Sequence, residues 1–311
     1  MNFAKLLLEG ATDINARDDR GWTPLHSAAS AGESRLIKLL ADAGADVNSF
    51  DNEGRSALVL ATDNGHLDSM ISLVEAGVDV NLSDPRGWSP LNTAAMSNRI
   101  EPLRLLLALG ADPSNPDAGG WTALLFAVAG SGTDEILDAL LEAGADPKVT
   151  HASSGLTPLE GAARNSNAYA ISQLITHGAD PNAVLPGRLL LPLYYAIEEQ
   201  SEDCVRALLA NGADARFRFE GDWTPMLYAV QKGNIDIVRQ LRAAGASISD
   251  ICKPEGWSAL HLAAKEGHRV TVRWLLDEGV DSTQRDADGK IALDYADAGG
   301  HLTIASILRR V

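Results

Sequence analysis

The side chains best suited to binding chemistry in this sequence are tryptophans that recur at one position of a repeating pattern. Each stands directly before a Thr or Ser that can cap a helix: Trp22, Trp88, Trp121, Trp223 and Trp257. Tryptophan supplies a large, rigid contact area and one polar N–H group, so it is a frequent anchor in binding interfaces. A tryptophan at this position can equally serve to cover the stems of neighbouring loops. Both interpretations remain open for these five, whereas Trp274, between apolar neighbours, is expected in the core.

Tyrosines and cations extend this set toward the middle of the chain. Tyr194, Tyr195 and Tyr228 fall on short predicted first helices, and Arg164 and Lys232 stand at the ends of predicted first helices. The candidate binding residues are therefore Trp22, Trp88, Trp121, Arg164, Tyr194, Tyr195, Trp223, Tyr228, Lys232 and Trp257. A carboxylate beside these aromatics in a partly dry groove could act as a general acid or base. No nucleophile–base pair can be identified from spacing, so no catalytic residue is predicted and a solvated rim is the favoured interpretation.

Metal, phosphate and redox chemistry have no motif in the sequence. There is no HExxH, no Walker-type loop, no GxSxG and no GxGxxG before a helix. The segment Asp286–Gly289 begins like a calcium loop but lacks the rest of that pattern. Cys204 and Cys252 have no CxxC spacing, and so few cysteines suit a reducing compartment. We therefore predict no metal, no cofactor and a cytoplasmic or nuclear location.

The charge of the chain is strongly negative and unevenly distributed. The formal net charge is −16, and residues 1–154 hold 22 acids against 10 bases. Such a field disfavours nucleic acid, whose affinity for proteins comes largely from Lys and Arg. It favours a protein partner with a basic or aromatic-accepting surface, although charge of this kind also keeps a long array soluble. No apolar run is long enough to span a membrane, and we expect the protein to be monomeric on its own.

The elements that position these residues come from a period of 33 or 34 residues, which is marked by a glycine. The glycine recurs as Gly10, Gly44, Gly77, Gly110, Gly144, Gly178, Gly212, Gly245 and Gly279. In residues 21–53, Thr23 and Pro24 predict the start of a short first helix. A second apolar helix ends at Gly44, and an Asp- and Asn-rich loop follows it. Such a unit cannot bury both faces alone, so neighbouring units must stack.

The pattern resembles the ankyrin repeat, whose Thr-Pro-Leu-His-x-Ala signature stands intact at Thr23–Ala28, with a near match at Ser258–Ala263. The resemblance implies an all-α solenoid of helix-turn-helix units with projecting β-hairpin loops, called fingers. It also implies that first helices line a concave groove, that the tryptophans at the finger bases face it, and that signature histidines bond neighbouring loops. With helices ~8–10 Å apart, nine units would form an array roughly 90 Å long.

The domain prediction follows from the phase of the repeat. Residues 1–311 are predicted to form a single ankyrin repeat domain, in which residues 1–20 are a half-repeat without a first helix. Full repeats start near residues 21, 54, 87, 120, 155, 189, 222, 256 and 289. The half-repeat is either a reduced cap or the edge of a longer natural chain. Arg309 and Arg310 suit a polar stop.

Departures from the period indicate where the array is irregular. One extra residue lies near 129–133, and three fingers are each one residue longer, at 147–155, 181–190 and 247–256. Leu191 replaces the capping Thr, and loss of a cap costs about 0.5–2 kcal/mol. This predicts a local soft spot near residues 186–196, which is either a hinge or a weak unit held by its neighbours.

Three functions are consistent with this pattern. The favoured one is a non-enzymatic scaffold or adaptor that binds a protein through the concave groove and the finger tips. The alternatives are a small-molecule or catalytic groove in the aromatic repeats at 120–255, and a fragment of a larger scaffold, channel or effector.

Overall fold

The computed structural model describes residues 13–130, 133–183 and 191–311. These residues form eighteen α-helices, which alternate between a first and a second helix of each repeat. The chain divides into two compact units, residues 1–161 (unit 1) and residues 162–311 (unit 2). The boundary falls within the first helix Pro158–Arg164. We name each repeat by the residue at which it starts.

In unit 1, successive first helices pack against one another, and successive second helices do the same. The first helices are Pro24–Ser30, Ala57–Asn64, Pro90–Met96 and Ala123–Ala129. The second helices are Ser34–Asp42, Leu67–Glu75, Ile100–Ala108 and Asp134–Glu142. Buried pairs of small residues, such as Ala28 and Ala29, let the first helices approach closely. Buried Ile and Leu side chains, such as Ile37 and Leu40, fill the space around the second helices.

Unit 2 repeats this plan. Its first helices beyond the boundary helix are Pro192–Glu198, Pro225–Lys232, Ala259–Lys265 and Ala292–Ala298. Its second helices are Ala168–Thr176, Glu202–Ala210, Ile235–Ala243, Arg269–Asp277 and Leu302–Leu308. Cys204 and Cys252 are buried, and burial raises the pKa of both thiols. They are therefore packed thiols rather than reactive ones.

The predicted helix starts and stops are present. The hydroxyls of Ser56, Ser89, Thr122 and Thr224 each accept the backbone N–H three residues later, whereas Leu191 gives its helix no side-chain cap. The described glycines of the period, from Gly44 to Gly279, all have φ between +82° and +106°. Only a residue without a Cβ adopts this conformation at little cost, so glycine is the favoured residue for ending each second helix.

The fingers of the described residues consist of turns with two isolated β-bridges, Phe50–Ser56 and Ile251–Ser258, and no longer strand. Neighbouring fingers are joined by backbone hydrogen bonds, as where the Ala118 N–H donates to the Arg86 carbonyl. A Cβ on Gly87 would stand 2.7 Å from the Ala118 nitrogen. Glycine at this position is therefore required by the close approach of two backbones.

Several predictions concern residues outside the described part of the chain. The helix of the half-repeat, residues 131–132 of the predicted insertion and residues 186–190 of the predicted soft spot lie there. The single-domain organisation also stays a prediction. Among the described residues, no helix is both long enough and apolar enough to cross a lipid bilayer.

Candidate functional site

The acidic residues of the fingers in unit 1 mostly maintain the local fold. The Oδ1 atoms of Asp18, Asp51, Asp84 and Asp117 each accept two backbone N–H groups, two and four residues later, at 2.8–2.9 Å. Each carboxylate therefore closes the turn that leads into the next first helix. These aspartates keep a second oxygen, Oδ2, and the partner of that oxygen differs from one finger to the next.

The histidines of the repeat link neighbouring repeats, as the resemblance implies. His26 Nδ1 accepts the Thr23 N–H at 3.1 Å, and its Nε2 lies 3.2 Å from the Arg55 carbonyl oxygen. His261 lies in the same way against the Lys290 carbonyl. Three further histidines each have Nε2 within hydrogen-bond distance of a carbonyl oxygen at the end of the first helix of the preceding repeat. They are His66, His268 and His301. None of these five needs a ligand to explain its position.

The N–H group and one ring face of Trp22 are both in contact with other side chains of the protein. Its Nε1 donates to Asp51 Oδ2 at 3.0 Å, and the guanidinium of Arg20 lies 4.0 Å from the centre of its ring. The Asp51 side chain is buried and also paired with Arg55 at 2.8 Å. Burial acts to raise the pKa of Asp51, but hydrogen bonds from the Arg55 backbone and guanidinium outweigh it and hold that pKa below its usual value.

Trp257, in unit 2, is engaged in the same manner through one more residue. Its Nε1 donates to the Tyr295 hydroxyl at 2.9 Å, and that hydroxyl donates to Asp286 Oδ2 at 2.5 Å. Burial, followed by the hydrogen bond to Asp286, raises the pKa of Tyr295. The Lys265 ammonium lies 4.2 Å from the centre of the Trp257 ring. Both the N–H and one face of this tryptophan are therefore occupied.

Trp121 is enclosed by rings rather than by polar groups. Its ring stacks on Phe126 with centroids 5.1 Å apart and lies 4.8 Å from the His151 ring. His151 replaces the finger aspartate of this repeat, and its Nδ1 lies 2.7 Å from the Ser154 hydroxyl. Trp121 therefore has little free ring surface to offer a partner.

Within the described residues, Trp88 has the fewest contacts of the three tryptophans of unit 1. Like Trp121 it has no hydrogen-bond partner for its N–H there, but its ring meets one other ring where that of Trp121 meets two. It meets the edge of Phe126 at 5.3 Å, and no cation lies over its ring among the described residues. Asp117 stands 29 residues after Trp88, as Asp51 stands 29 residues after Trp22, yet its Oδ2 also has no partner in the described part of unit 1. An open donor and an open acceptor thus occupy the positions that are bonded in repeat 21.

The residues Trp88 and Asp117 line an open cleft of about 700 Å³ beside the turns of the fingers. The cleft is lined by Asn52, Glu53, Arg55, Arg86, Trp88, Asp117, Ala118 and Gly119. Its cations are already neutralised, because Arg55 is paired with the buried Asp51 and Arg86 Nε donates to the buried Asp84 at 2.7 Å. Arg86 also donates to the Glu53 carbonyl.

Three of the predicted residues of unit 2, Tyr194, Tyr228 and Lys232, form an aromatic cluster. Tyr194 and Tyr228 stack at 4.4 Å, and Phe219 meets the edge of Tyr194 at 5.6 Å. Lys232 lies 5.2 Å from the centre of the Tyr228 ring and is paired with Glu198 at 2.8 Å. Burial raises the pKa of Tyr194, and the negative charge of Glu198 raises it further.

The remaining predicted residues are placed differently. Tyr195 is only 6% exposed, and Arg164 covers its ring at 4.1 Å, so this tyrosine is mainly a packing residue. Trp223 is half-buried, and its N–H has no partner within the described residues. No group of three or more His, Cys, Asp or Glu side chains in the described part of the chain could hold a metal ion.

Sequence reasoning identified the tryptophans but not the feature that separates them. The pattern of the repeat does not single out Asp117 among the finger aspartates, but the residues that follow it do. Arg55 and Arg86 follow their finger aspartates at positions four and two, where the finger of Asp117 has Trp121 and Gly119. A carboxylate without a nearby arginine was therefore visible in the sequence.

Comparison with known protein families agrees with the geometry. The family model described as ankyrin repeats, in three copies, matches residues 1–84, 72–151, 159–251 and 244–310. These matches cover nearly the whole chain, and they confirm the predicted all-α repeat fold. The helix pairs, the histidine links and these matches together place the chain in the ankyrin repeat family.

Proposed function

We propose that this protein is an interaction module that binds a partner protein through the open cleft of unit 1, with Trp88 as its anchor. Ankyrin repeats are generally protein–protein interaction modules. The observation that carries the proposal is the open Trp88 N–H and the open Asp117 Oδ2 on the wall of one cleft. In repeats 21 and 256 the equivalent tryptophan N–H is bonded within the chain.

The energetics of interfaces support an anchor of this kind. A few residues carry most of the binding energy at an interface, and tryptophan is enriched among them. A half-buried indole gains contact area when a partner covers it, and its backbone is already held by the finger, so little additional ordering is required. The charge of unit 1, with 23 acids and 10 bases, favours a basic partner surface and faster encounter with it.

Affinity capture with a matched pair of variants tests the proposal. We expect Trp88→Ala to weaken capture of the partner at least about 30-fold, which corresponds to the loss of a hot spot of about 2 kcal/mol. Leu39→Ala serves as the control, because Leu39 is an exposed apolar residue of a second helix. Circular dichroism should report unchanged helicity for both variants. Equal capture by Trp88→Ala and the parent would refute the proposal.

The aromatic cluster of unit 2 supports a second candidate function, the binding of a small molecule. The stacked Tyr194 and Tyr228 are half-buried, and their hydroxyls have no hydrogen-bond partner within the described residues. Flat ligands stack readily on such rings. A metabolite that raises the melting temperature of the parent protein but not of Tyr228→Ala would support this function. A screen in which no compound distinguishes the two proteins would argue against it.

A further inference from the structure

The tryptophan rings of repeats 21 and 256 each carry a cation from this chain. Arg20 lies 4.0 Å from the centre of the Trp22 ring, and Lys265 lies 4.2 Å from that of Trp257. A guanidinium or ammonium over an indole face is stabilised by the ring quadrupole, by about 0.5–1 kcal/mol at exposed sites. A cation of the chain can therefore reach the face of this indole from two positions, either two residues before the tryptophan or eight residues after it.

In repeat 87 neither of these positions places a cation over the Trp88 ring. Arg86 is two residues before Trp88, as Arg20 is before Trp22, and both arginines pair with the aspartate two residues earlier. Arg20 also lies over its indole ring, whereas Arg86 turns to the Glu53 carbonyl instead. Met96 stands eight residues after Trp88, where Lys265 stands after Trp257, and it is uncharged and 55% exposed. Within the described residues, the ring of Trp88 therefore lacks the cation that lies over the rings of Trp22 and Trp257.

We infer that a partner's arginine side chain completes the Trp88 site, with its guanidinium over the indole and an N–H group donating to Asp117 Oδ2. This inference rests on the proposed function and names the group that the cleft recognises. Arginine fits because its planar fork can stack on a ring and bond a carboxylate at the same time. The Trp88 N–H remains free to donate to a carbonyl of the same peptide.

The charges around the cleft select a cation over an anion. Arg55 and Arg86 are each held by a buried aspartate, and an incoming anion would have to draw them away from that partner. Breaking such a pair leaves a buried charge without compensation, which is costly. Asp117 has no such partner, so a cation can approach it without breaking any bond of the fold.

Indole N–H signals in nuclear magnetic resonance spectra of the full-length protein provide the test. The probes are acetylated and amidated pentapeptides, Gly-Gly-X-Gly-Gly, in which X is arginine, its neutral isostere citrulline, or glutamate. We expect the Trp88 signal, assigned with Trp88→Phe, to shift with the arginine peptide and to saturate at least about threefold earlier than with citrulline. A glutamate peptide that binds as well as the arginine peptide would overturn the inference.

Two further variants separate recognition from folding. Asp117→Asn keeps the oxygen that closes the turn but loses the charge, so it should weaken the arginine peptide about threefold or more without unfolding the finger. Met96→Lys should place an internal cation over Trp88 and block the peptide, whereas Met96→Gln should leave binding unchanged. Equal binding by Met96→Lys and Met96→Gln would show that the ring face is not the site.

The outcome for the inference can be distinguished from that for the proposed function. If the arginine peptide fails to shift the Trp88 signal while Trp88→Ala still abolishes capture of the partner, the cleft binds a partner by other chemistry. In that case the inference is wrong and the proposed function stands. If both tests fail, the proposed function is wrong as well.

Discussion

Repeats 21 and 87 lie in the same unit and share the spacing of tryptophan, cap and finger aspartate. They differ in whether the tryptophan N–H is bonded to the aspartate that follows it by 29 residues. In repeat 21 the indole N–H, the aspartate and a cation satisfy one another. In repeat 87 the tryptophan and the aspartate face a cleft, and the arginine is bound elsewhere. The comparison teaches that the position of a residue in the repeat identifies it as a candidate for binding. Whether its polar group is already bonded to a neighbouring side chain decides whether that group can bind a partner.

The largest expected effect comes from removing the indole N–H in each repeat. Trp22→Phe should destabilise the protein by about 1.5–3 kcal/mol, because it removes a hydrogen bond to a charged, buried acceptor. Trp88→Phe should cost less than about 1 kcal/mol, because the Trp88 N–H bonds nothing among the described residues and a phenyl ring keeps the T-shaped contact with Phe126. Urea unfolding of both variants measures the difference. Equal losses would contradict the distinction between an engaged and an open tryptophan.

This distinction marks the limit of what the sequence could predict. The period, the helix caps and the terminating glycines depend only on local residue types, so the helices and the family could be predicted from the sequence alone. The state of Trp88 depends on where the Arg86 side chain turns, and Arg86 occupies the same position as Arg20. Both arginines pair with the aspartate two residues earlier. Only the folded structure shows that Arg20 also lies over its indole ring, whereas Arg86 turns to the Glu53 carbonyl.

The residue that follows the cap by three positions also separates the two repeats. His26 connects its helix to the next finger, whereas Asn92 takes the same position, is only 1% exposed and has an Nδ2 without a hydrogen-bond partner in the described part of the chain. Asn92→His should therefore raise stability by about 0.5–1.5 kcal/mol, the usual contribution of one hydrogen bond. Thermal unfolding tests this. A lower melting temperature would mean that the site is too tight for an imidazole.

Protonation should weaken repeat 21 selectively. Burial lowers the pKa of His26 below its usual value of 6.5, so the unfolded chain binds the proton more readily than the folded one. The stabilising contribution is therefore present above about pH 6.5 and is lost as the pH falls through the lower folded value. Amide hydrogen exchange near Thr23 and Arg55, corrected for intrinsic rates, should accelerate as the pH falls below about 6.5. In His26→Gln this acceleration should disappear, and its persistence would assign the effect to other groups.

The smallest expected effect concerns the turn between the two helices of each repeat. Gly32 and Asn98 occupy equivalent positions with φ of +76° and +53°. Asn98→Gly removes the cost of a Cβ at positive φ but also removes an oxygen that accepts the Thr133 N–H at 3.0 Å, so stability should change by less than about 0.5 kcal/mol. The reverse change, Gly32→Asn, should be harmful, because a Cβ there would lie 2.9 Å from His66 Nδ1. The same exchange of residue types is thus nearly neutral where no histidine fills the turn and costly where one does, and a neutral Gly32→Asn in urea unfolding would show that the histidine link can give way.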